Sequence, residues 1–275
     1  MWGFCRPSGR GTAWRSETDM ASLLSIIIPA RNEQNRLGPT LDAYLPHFVG
    51  RYGEAVEFLV VVNASTDGTE GLARGYADRW PCVRVLVEPK RVGKGGALMI
   101  GFRQARGEMV GFVDADGSTP PAAFDELVRS LGDAGAVIAN RWHPDSHISP
   151  QPWSRRLASR VFNGVVRVLF GIRITDTQCG AKLMTRKALQ DVLPHLGITQ
   201  WAFDVDLLFQ LSRHGHRIVA IPTTWHDSAG SHLRVGRASI EMLIAVVRLR
   251  LIYSPLRWIV TLYDHTLGRL IRHRI

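Results

Sequence analysis

Long hydrophobic runs are missing from this sequence. No uninterrupted apolar stretch approaches the roughly 18 residues that would suggest a membrane-spanning helix. Cysteine is scarce: Cys5, Cys82 and Cys179 are three, odd in number and far apart. No CxxC pair or Cys/His cluster is present, which argues against a zinc module and fits a reducing compartment. The glycine-rich signatures GxxxxGK[ST] and GxGxxG are both absent, so neither a P-loop nucleotidase nor a classical dinucleotide binder is supported. RNP-like and KH-like signatures are also missing, and no nucleic-acid partner is expected. Acidic residues are outnumbered, 24 against 34 Lys and Arg, for a formal net charge of +10. A basic excess of that size suits anionic lipid or phosphorylated substrates.

What is present reads as one large α/β domain. At 45% hydrophobic and 21% charged, the 275 residues have the composition of a folded chain too short for two full domains. Residues 1–20 carry Arg6, Arg10 and Arg15 with no apolar run behind them, so a secretory leader is not expected. They are Gly-, Ser- and Thr-rich and read as a disordered extension. Short β-rich apolar runs at 23–29, 58–62, 83–87, 109–113 and 136–139 alternate with helical spacing at 36–48, 94–106 and 121–131, and a further helix follows 63–69. The alternation predicts a doubly wound, mostly parallel sheet with helices on both faces. Further on, helices are expected at 153–170, 203–214, 238–252 and 256–272, with short strands after 176–185 and at 217–221. The last two helices are amphipathic. The expected organisation is an extension (1–20), a main domain (21–233) and a basic helical tail (234–275).

Parallel sheets bind ligands at the carboxyl ends of their strands. Polar clusters follow the predicted strands: Arg31-Asn32-Glu33, 63–69, 114–119 and Asn140-Arg141. All of them should reach one edge. Asp114 and Asp116 stand at i and i+2 in a turn, where two carboxylates can face one Mg²⁺ or Mn²⁺ shared with substrate phosphates; by itself the pair also fits an Asx turn. Lys90, Arg91 and Lys94 interleave with Gly93, Gly95 and Gly96 ahead of a helix. That is an anion site, or else a solvated turn. Asp67 is placed to bind a base or ribose, or to cap the next helix.

Four motifs in order, SIIIPARNE (25–33), VVVNASTDGT (60–69), KRVGKGGAL (90–98) and GFVDADGST (111–119), resemble family 2 of the nucleotide-sugar glycosyltransferases, which have the GT-A fold. GIRITDTQCGAKLMTR (171–186), WAFDVDLLF (201–209) and GSHL (230–233) bring the resemblance closest to the dolichyl-phosphate β-glucosyltransferases and their polyprenyl-phosphate relatives. It covers roughly residues 23–253. The resemblance implies that Pro29, Ala30, Glu33, Asn63 and Asp67 meet the nucleoside and that Lys94 lies near the diphosphate. It makes Asp114 and Asp116 the DxD pair, Asp116 on the metal and Asp114 on metal or ribose. Arg141, with Arg156 or Arg160, belongs near the donor and acceptor phosphates. Asp176 and Gln178, with Thr177 and Cys179, lie beside the sugar, and Trp201, Asp204 and Asp206 face the acceptor. Ser231 and His232 fall where the family grips the acceptor phosphate. There a lysine is usual, and His232 would make the grip pH-dependent. Thr175 adds one residue to the family's loop, a length change that loops tolerate.

Under this resemblance the donor is a nucleotide sugar, UDP-glucose first and GDP-mannose next, and the acceptor is a polyprenyl or dolichyl phosphate. The acceptor phosphate is anionic near neutral pH, so no strong base is required; Asp204 or Asp206 would serve as base only for a hydroxyl acceptor. From residue 234 onward eight arginines face two acids, interleaved with Leu243, Ile244, Val247, Leu251, Trp258 and Tyr263. That pattern suits a peripheral anchor on the cytoplasmic membrane surface, or packing on the domain or on a second subunit. A family 2 enzyme acting on a hydroxyl and a non-catalytic nucleotide binder are the alternatives.

Overall fold

The computed structural model describes residues 22–197, 200, 202–227, 235–258 and 260, with the backbone alone at 154, 155 and 235–240. The expected extension at 1–20, Trp201, Ser231, His232 and most of the helix expected at 256–272 lie outside the described residues.

Strand β1 (Leu24–Ala30) pairs in parallel with β2 (Val56–Asn63), which pairs in parallel with β3 (Val83–Glu88). On its other side β1 pairs in parallel with β4 (Met109–Phe112). Helices α1 (Leu37–Tyr52), α2 (Thr69–Arg79) and α3 (Gly93–Gln104) make the crossovers. Next come α4 (Pro121–Arg129), β5 (Ala136–Asn140), a short β6 (His147–Ile148) and α5 (Trp153–Phe170). The chain then forms β7 (Lys182–Thr185), α6 (Arg186–Val192), α7 (Phe203–Arg213), β8 (Ile218–Pro222), β9 (Thr224–Trp225) and α8 (Val235–Ile252). The main sheet has seven strands in the order β3-β2-β1-β4-β7-β5-β8, and β6 with β9 forms a two-stranded ribbon.

The side-chain alternation of a strand explains the two layers. In β2, Leu59 and Val61 enter one core, packed with Leu98, Phe102, Val166 and Phe203; Phe58, Val60 and Val62 enter the other, with Leu41, Phe48 and Phe124. Both faces are covered, so the strands read as continuous apolar runs rather than alternating ones.

Two features of the sheet position the site. The strand order reverses beside β1, which has β2 on one side and β4 on the other, and β4 stops at Phe112, opposite Ile27. The last residues of β1 are therefore unpaired on that flank, and Pro29, which lacks an N–H, is tolerated there. A crevice opens at that reversal. The second feature is β7, which runs antiparallel between β4 and β5, with Lys182 opposite Phe112 and Ile138. Because β7 runs backward, its beginning reaches the same edge as the ends of its neighbours. That direction carries the turn at 176–180 to the crevice.

Candidate active site

The loops after β1 and β2 are stitched to each other. Asn32 Oδ1 accepts from Thr66 N at 2.9 Å, Glu33 N donates to Thr69 Oγ1 at 2.8 Å, and Gly68 N donates to Gln34 Oε1 at 2.8 Å. Asn32 and Ala64 both take left-handed backbone, at φ 55° and 46°. Asp67 Oδ1 accepts from the Thr69 amide and hydroxyl at 3.1 and 2.5 Å, and Gln34 N donates to its Oδ2 at 3.2 Å. Slight desolvation works the other way, but these bonds hold the exposed Asp67 carboxyl below the usual carboxylate range. Asp67 thus fastens the start of α2 and the β1 loop. Asn63, at the end of β2, is 3% exposed. It donates to Lys90 O at 2.7 Å and accepts from Gly93 N at 3.2 Å, so it clamps the loop ahead of α3. Pro29 and buried Ala30 close β1 at the crevice. Glu33 pairs with Arg36 at 2.6 Å. Burial, together with the charges of Asp116 and Asp114, outweighs that pairing and raises its carboxyl.

Just beyond β4, Asp116 Oδ1 accepts from Ser118 N at 2.9 Å. The turn is braced from behind by α1: Thr40 donates to Ala115 O at 2.9 Å and Tyr44 to Thr119 O at 2.8 Å. Asp114 lies 2.6 Å from the Lys94 ammonium, which is also 3.8 Å from Asp204. Burial raises the Asp114 carboxyl, and Asp116 adds to the effect, while Lys94 opposes it. Burial would lower the Lys94 ammonium, but Asp114 and Asp204 drive it above its ordinary value. Gly180 lies against this pair, and a Cβ there would run into the Asp114 carboxylate. Gly95, one residue past Lys94, is equally tight: a Cβ would meet the Phe203 ring at 2.5 Å.

The turn before β7 contributes a second cluster. Arg141 grips Asp176 in a two-pronged pair, Nε to Oδ2 at 2.8 Å and Nη2 to Oδ1 at 2.9 Å, and its backbone N–H adds a third bond at 2.9 Å. Burial alone would raise the Asp176 carboxyl; the Arg141 charge and hydrogen bonds hold it below the usual range. The guanidinium lies 5.5 Å from the Trp225 ring centre. Gln178 donates its backbone N–H to Asp176 at 3.3 Å and keeps a half-buried side chain. Asn163, on α5, accepts from the amide and hydroxyl of Thr177, both at 2.9 Å.

A residue that the motifs did not single out links the clusters. Lys182 is 1% exposed. Its ammonium donates to Cys179 O at 2.7 Å and to Asp204 Oδ1 at 2.5 Å. Burial would raise the Asp204 carboxyl, but Lys182 and Lys94 together lower it. The order along the edge is Asp114, Lys94, Asp204, Lys182 and the Cys179 carbonyl. A lysine between Ala181 and Leu183, in a strand with apolar neighbours, was the available signal, because a buried ammonium demands acidic partners.

Asp206 is not part of this cluster. Two residues apart on a helix, Asp204 and Asp206 face roughly opposite ways. Asp206 accepts from Tyr253 Oη at 2.6 Å and from Gly197 N at 3.1 Å, which ties α7 to the end of α8. Arg156 and Arg160 are exposed on α5, and Arg160 lies 5.3 Å from the Trp142 ring centre, beside Arg141 in sequence. Among the described residues no three His, Cys, Asp or Glu side chains gather as a metal cage. The two carboxylates at 114 and 116 are nonetheless a hard-oxygen donor set that fits Mg²⁺ or Mn²⁺ when substrate phosphates complete the shell.

The comparisons agree with this architecture. Dolichyl-phosphate β-glucosyltransferases are among the similar proteins: one from Drosophila melanogaster is 35% identical over 76% of this chain and 69% of its own. The human enzyme is 31% identical over 89% and 79%. Solved structures of GT-A transferases share the fold. Glucosyl-3-phosphoglycerate synthase from Mycobacterium tuberculosis, crystallised with Mn²⁺, UDP and phosphoglyceric acid, superposes with a TM-score of 0.63 at 22% identity, over 83% of this chain and 78% of that one. A Pyrobaculum calidifontis mannosyltransferase in complex with GDP-Man and Mn²⁺ superposes with a TM-score of 0.58 at 22% identity, over 84% and 64%. The description "Glycosyl transferase family 2" fits residues 25–193, and the chain belongs to that family of glycosyltransferases.

Proposed function

We propose that this transferase moves glucose from UDP-glucose onto a dolichyl or other polyprenyl phosphate, with inversion, to give a β-linked lipid-phosphate sugar. The names of its relatives support the acceptor and the sugar. The observation that carries the reading is the commitment of the acids. Asp204 lies between two ammonium groups, Asp176 is bound to Arg141, and Asp206 is bound to Tyr253. The cations beside Asp204 and Asp176 hold both carboxyls below the usual range, and Asp206 is engaged away from this edge, which suits a nucleophile that is already an anion. A hydroxyl acceptor would need a base, and Asp204, with its lowered carboxyl, is a poor one.

In this reading an acceptor phosphate oxygen attacks C1 of the sugar, the C1–O bond to the diphosphate breaks, and UDP departs with the electron pair. Asp116 and Asp114 would hold Mg²⁺ or Mn²⁺, which supplies charge neutralisation to the departing diphosphate. Lys94 adds a fixed cation at the same edge. Pro29, Ala30, Glu33 and the Asp67 loop receive the nucleoside. Arg141, with Arg156 or Arg160 and with Ser231 and His232, receives the acceptor phosphate, and the Asp176–Gln178 turn lies beside the sugar. The enzyme works at the cytoplasmic surface of a membrane, where its acceptor resides. That placement is supported by the basic amphipathic sequence from 234 onward.

The test is transfer by the purified chain to a short polyprenyl phosphate with Mg²⁺ or Mn²⁺, with UDP-glucose and GDP-mannose in parallel and Asp116→Ala as control. Metal-dependent formation of a glucosyl lipid phosphate, lost in the variant, is expected. Transfer from GDP-mannose alone would reassign the donor, and transfer to a hydroxyl lipid alone would overturn the acceptor.

A further inference from the structure

Helix α5 has two unlike faces. One enters the core through Phe162, Val166 and Phe170 and carries Asn163, which holds Thr177 of the site turn. The other turns a stripe of Leu157, Val161 and Val168 outward. Arg160 is exposed on this helix, and its neighbours one turn away, Arg156, Leu157, Asn163 and Gly164, include no carboxylate. A long side chain in that setting samples many rotamers unless something holds it. Trp142, in the turn after β5, is what holds it: the centre of its ring lies 5.3 Å from the Arg160 guanidinium carbon, within the reach of a cation–π contact.

Trp142 is itself firmly seated. Its backbone N–H donates to Asn140 Oδ1 at 3.0 Å, and Asn140 Nδ2 donates to Thr175 Oγ1, ahead of the site turn, at 2.9 Å. Asn140 is buried, and its carbonyl accepts from Ser146 Oγ at 2.6 Å. The indole N–H is buried and has no hydrogen-bond partner among the described residues. An unpaired buried donor is unfavourable, and a phenyl ring would avoid it, so the contribution of this tryptophan is its broad face. The adjacent Arg141 gives two guanidinium N–H groups to Asp176. A ring face takes none from Arg160, whose donors stay available to an anionic ligand. We infer that Trp142 is a positioning residue that presents Arg160 to the acceptor phosphate, and that Arg160, not Arg156, is the arm that joins Arg141 there. This rests on the lipid-phosphate reading of the acceptor. An arm already held in place loses less freedom when the phosphate binds, so the effect of Trp142 falls on acceptor affinity.

The test uses the full chain as wild type, Trp142→Leu, Trp142→Phe, Arg160→Ala and Trp142→Leu/Arg160→Ala, with steady-state kinetics on a short polyprenyl phosphate in detergent. Trp142→Leu is expected to raise the acceptor KM about fivefold, with kcat and the donor KM within about twofold of wild type. Trp142→Phe keeps a ring face and should hold the acceptor KM within about twofold of wild type. In the Arg160→Ala background Trp142→Leu should raise the acceptor KM no further, because the ring then has no arm to hold. Should Trp142→Leu not fold, Trp142→Met, which fills the space without a ring, takes its place. An unchanged acceptor KM, equal losses with and without Arg160, a Phe variant as impaired as the Leu one, or a loss shared by the donor KM overturns the inference. Calorimetric binding of farnesyl phosphate to protein loaded with UDP and Mg²⁺ separates this from the acceptor reading. If wild type glucosylates no lipid phosphate, yet Trp142→Leu weakens farnesyl phosphate binding only while Arg160 is present, the inference stands and the acceptor reading falls. If wild type binds no farnesyl phosphate, both fall.

Discussion

Replacing Lys182 with methionine keeps most of the side-chain volume of a residue that is 1% exposed and removes its charge. Two groups then lose their donor, Asp204 Oδ1 and the Cys179 carbonyl. Asp204 keeps its ion pair with Lys94, at 3.8 Å, and the more distant charge of Arg141. Breaking a buried ion pair from one side costs about 3–5 kcal/mol, because the remaining charge stays buried without its partner. Against a typical total stability of about 5–15 kcal/mol the variant still folds at 25 °C. Its urea midpoint should fall by about 1–2 M. Activity should fall too. With Asp204 underneutralised, the Lys94 ammonium is drawn from Asp114 toward Asp204, and kcat/KM for the nucleotide sugar should drop by at least about tenfold, with the larger share in the donor KM. Equilibrium urea unfolding and steady-state kinetics read these effects. The double variant Lys182→Met/Asp204→Asn removes both charges and should recover at least about 2 kcal/mol relative to additivity. A midpoint shift of Lys182→Met below about 0.2 M, or strict additivity in the double variant, would refute the reasoning.

Three further predictions test other parts of the edge. Gly180→Ala puts a methyl group against the Asp114 carboxylate and forces it off its 2.6 Å pair with Lys94; activity should fall at least about tenfold while stability drops only about 1–3 kcal/mol, as read by kinetics and thermal melting. Asp176→Asn should destabilise the fold at neutral pH by about 3–5 kcal/mol by stranding the Arg141 charge. The Asp176 carboxyl is lowered in the folded state, so its contribution is present above the unfolded value near 4 and is lost as pH falls through the lower folded value; the gap between wild type and Asp176→Asn in urea should close below about pH 4. Burial pushes the Cys179 thiol up to about 11, and the side chain is fully buried; mass-spectrometric mapping should find it unalkylated by iodoacetamide in the native protein near neutral pH and modified once the chain is unfolded, and rapid native labelling would contradict the packing described.

Much of the architecture was legible because the strands of a doubly wound sheet are apolar on both faces and end in polar clusters. Runs such as 58–62 and 136–139 match β2 and β5 to within two residues. The direction of β7 was not legible: four residues carry no signal of which way a strand runs or between which partners it inserts. Lys182 escaped notice for a related reason, since a lysine in a short strand reads as a solvent-facing residue until its neighbours are known. Asp204 and Asp206 stood as a pair on sequence, although helical geometry sends them apart, and only the positions of Lys182 and Tyr253 show what each one does. Periodicity predicted α5 to the residue, yet spacing alone did not distinguish its outward stripe from a second core face.

The placement of β7 also bears on how the molecule comes together. Strands β4 and β5 are successive parallel strands in the chain, joined through α4, yet they do not pair with each other; each pairs with β7, whose residues come more than 40 positions after the end of β5. Among the described strands, β7 is the sole joint between a four-stranded portion and the β5–β8 pair. Such a nonlocal joint closes late, after loop-closure entropy has been overcome. A nascent chain that has not yet produced β7 holds the four-stranded portion, a β5 with neither of its partners, and no turn at the crevice. Catalytic competence therefore waits for β7 to be made and inserted, and the still more distant pairing of β8 with β5 completes the sheet after the turn at the crevice exists.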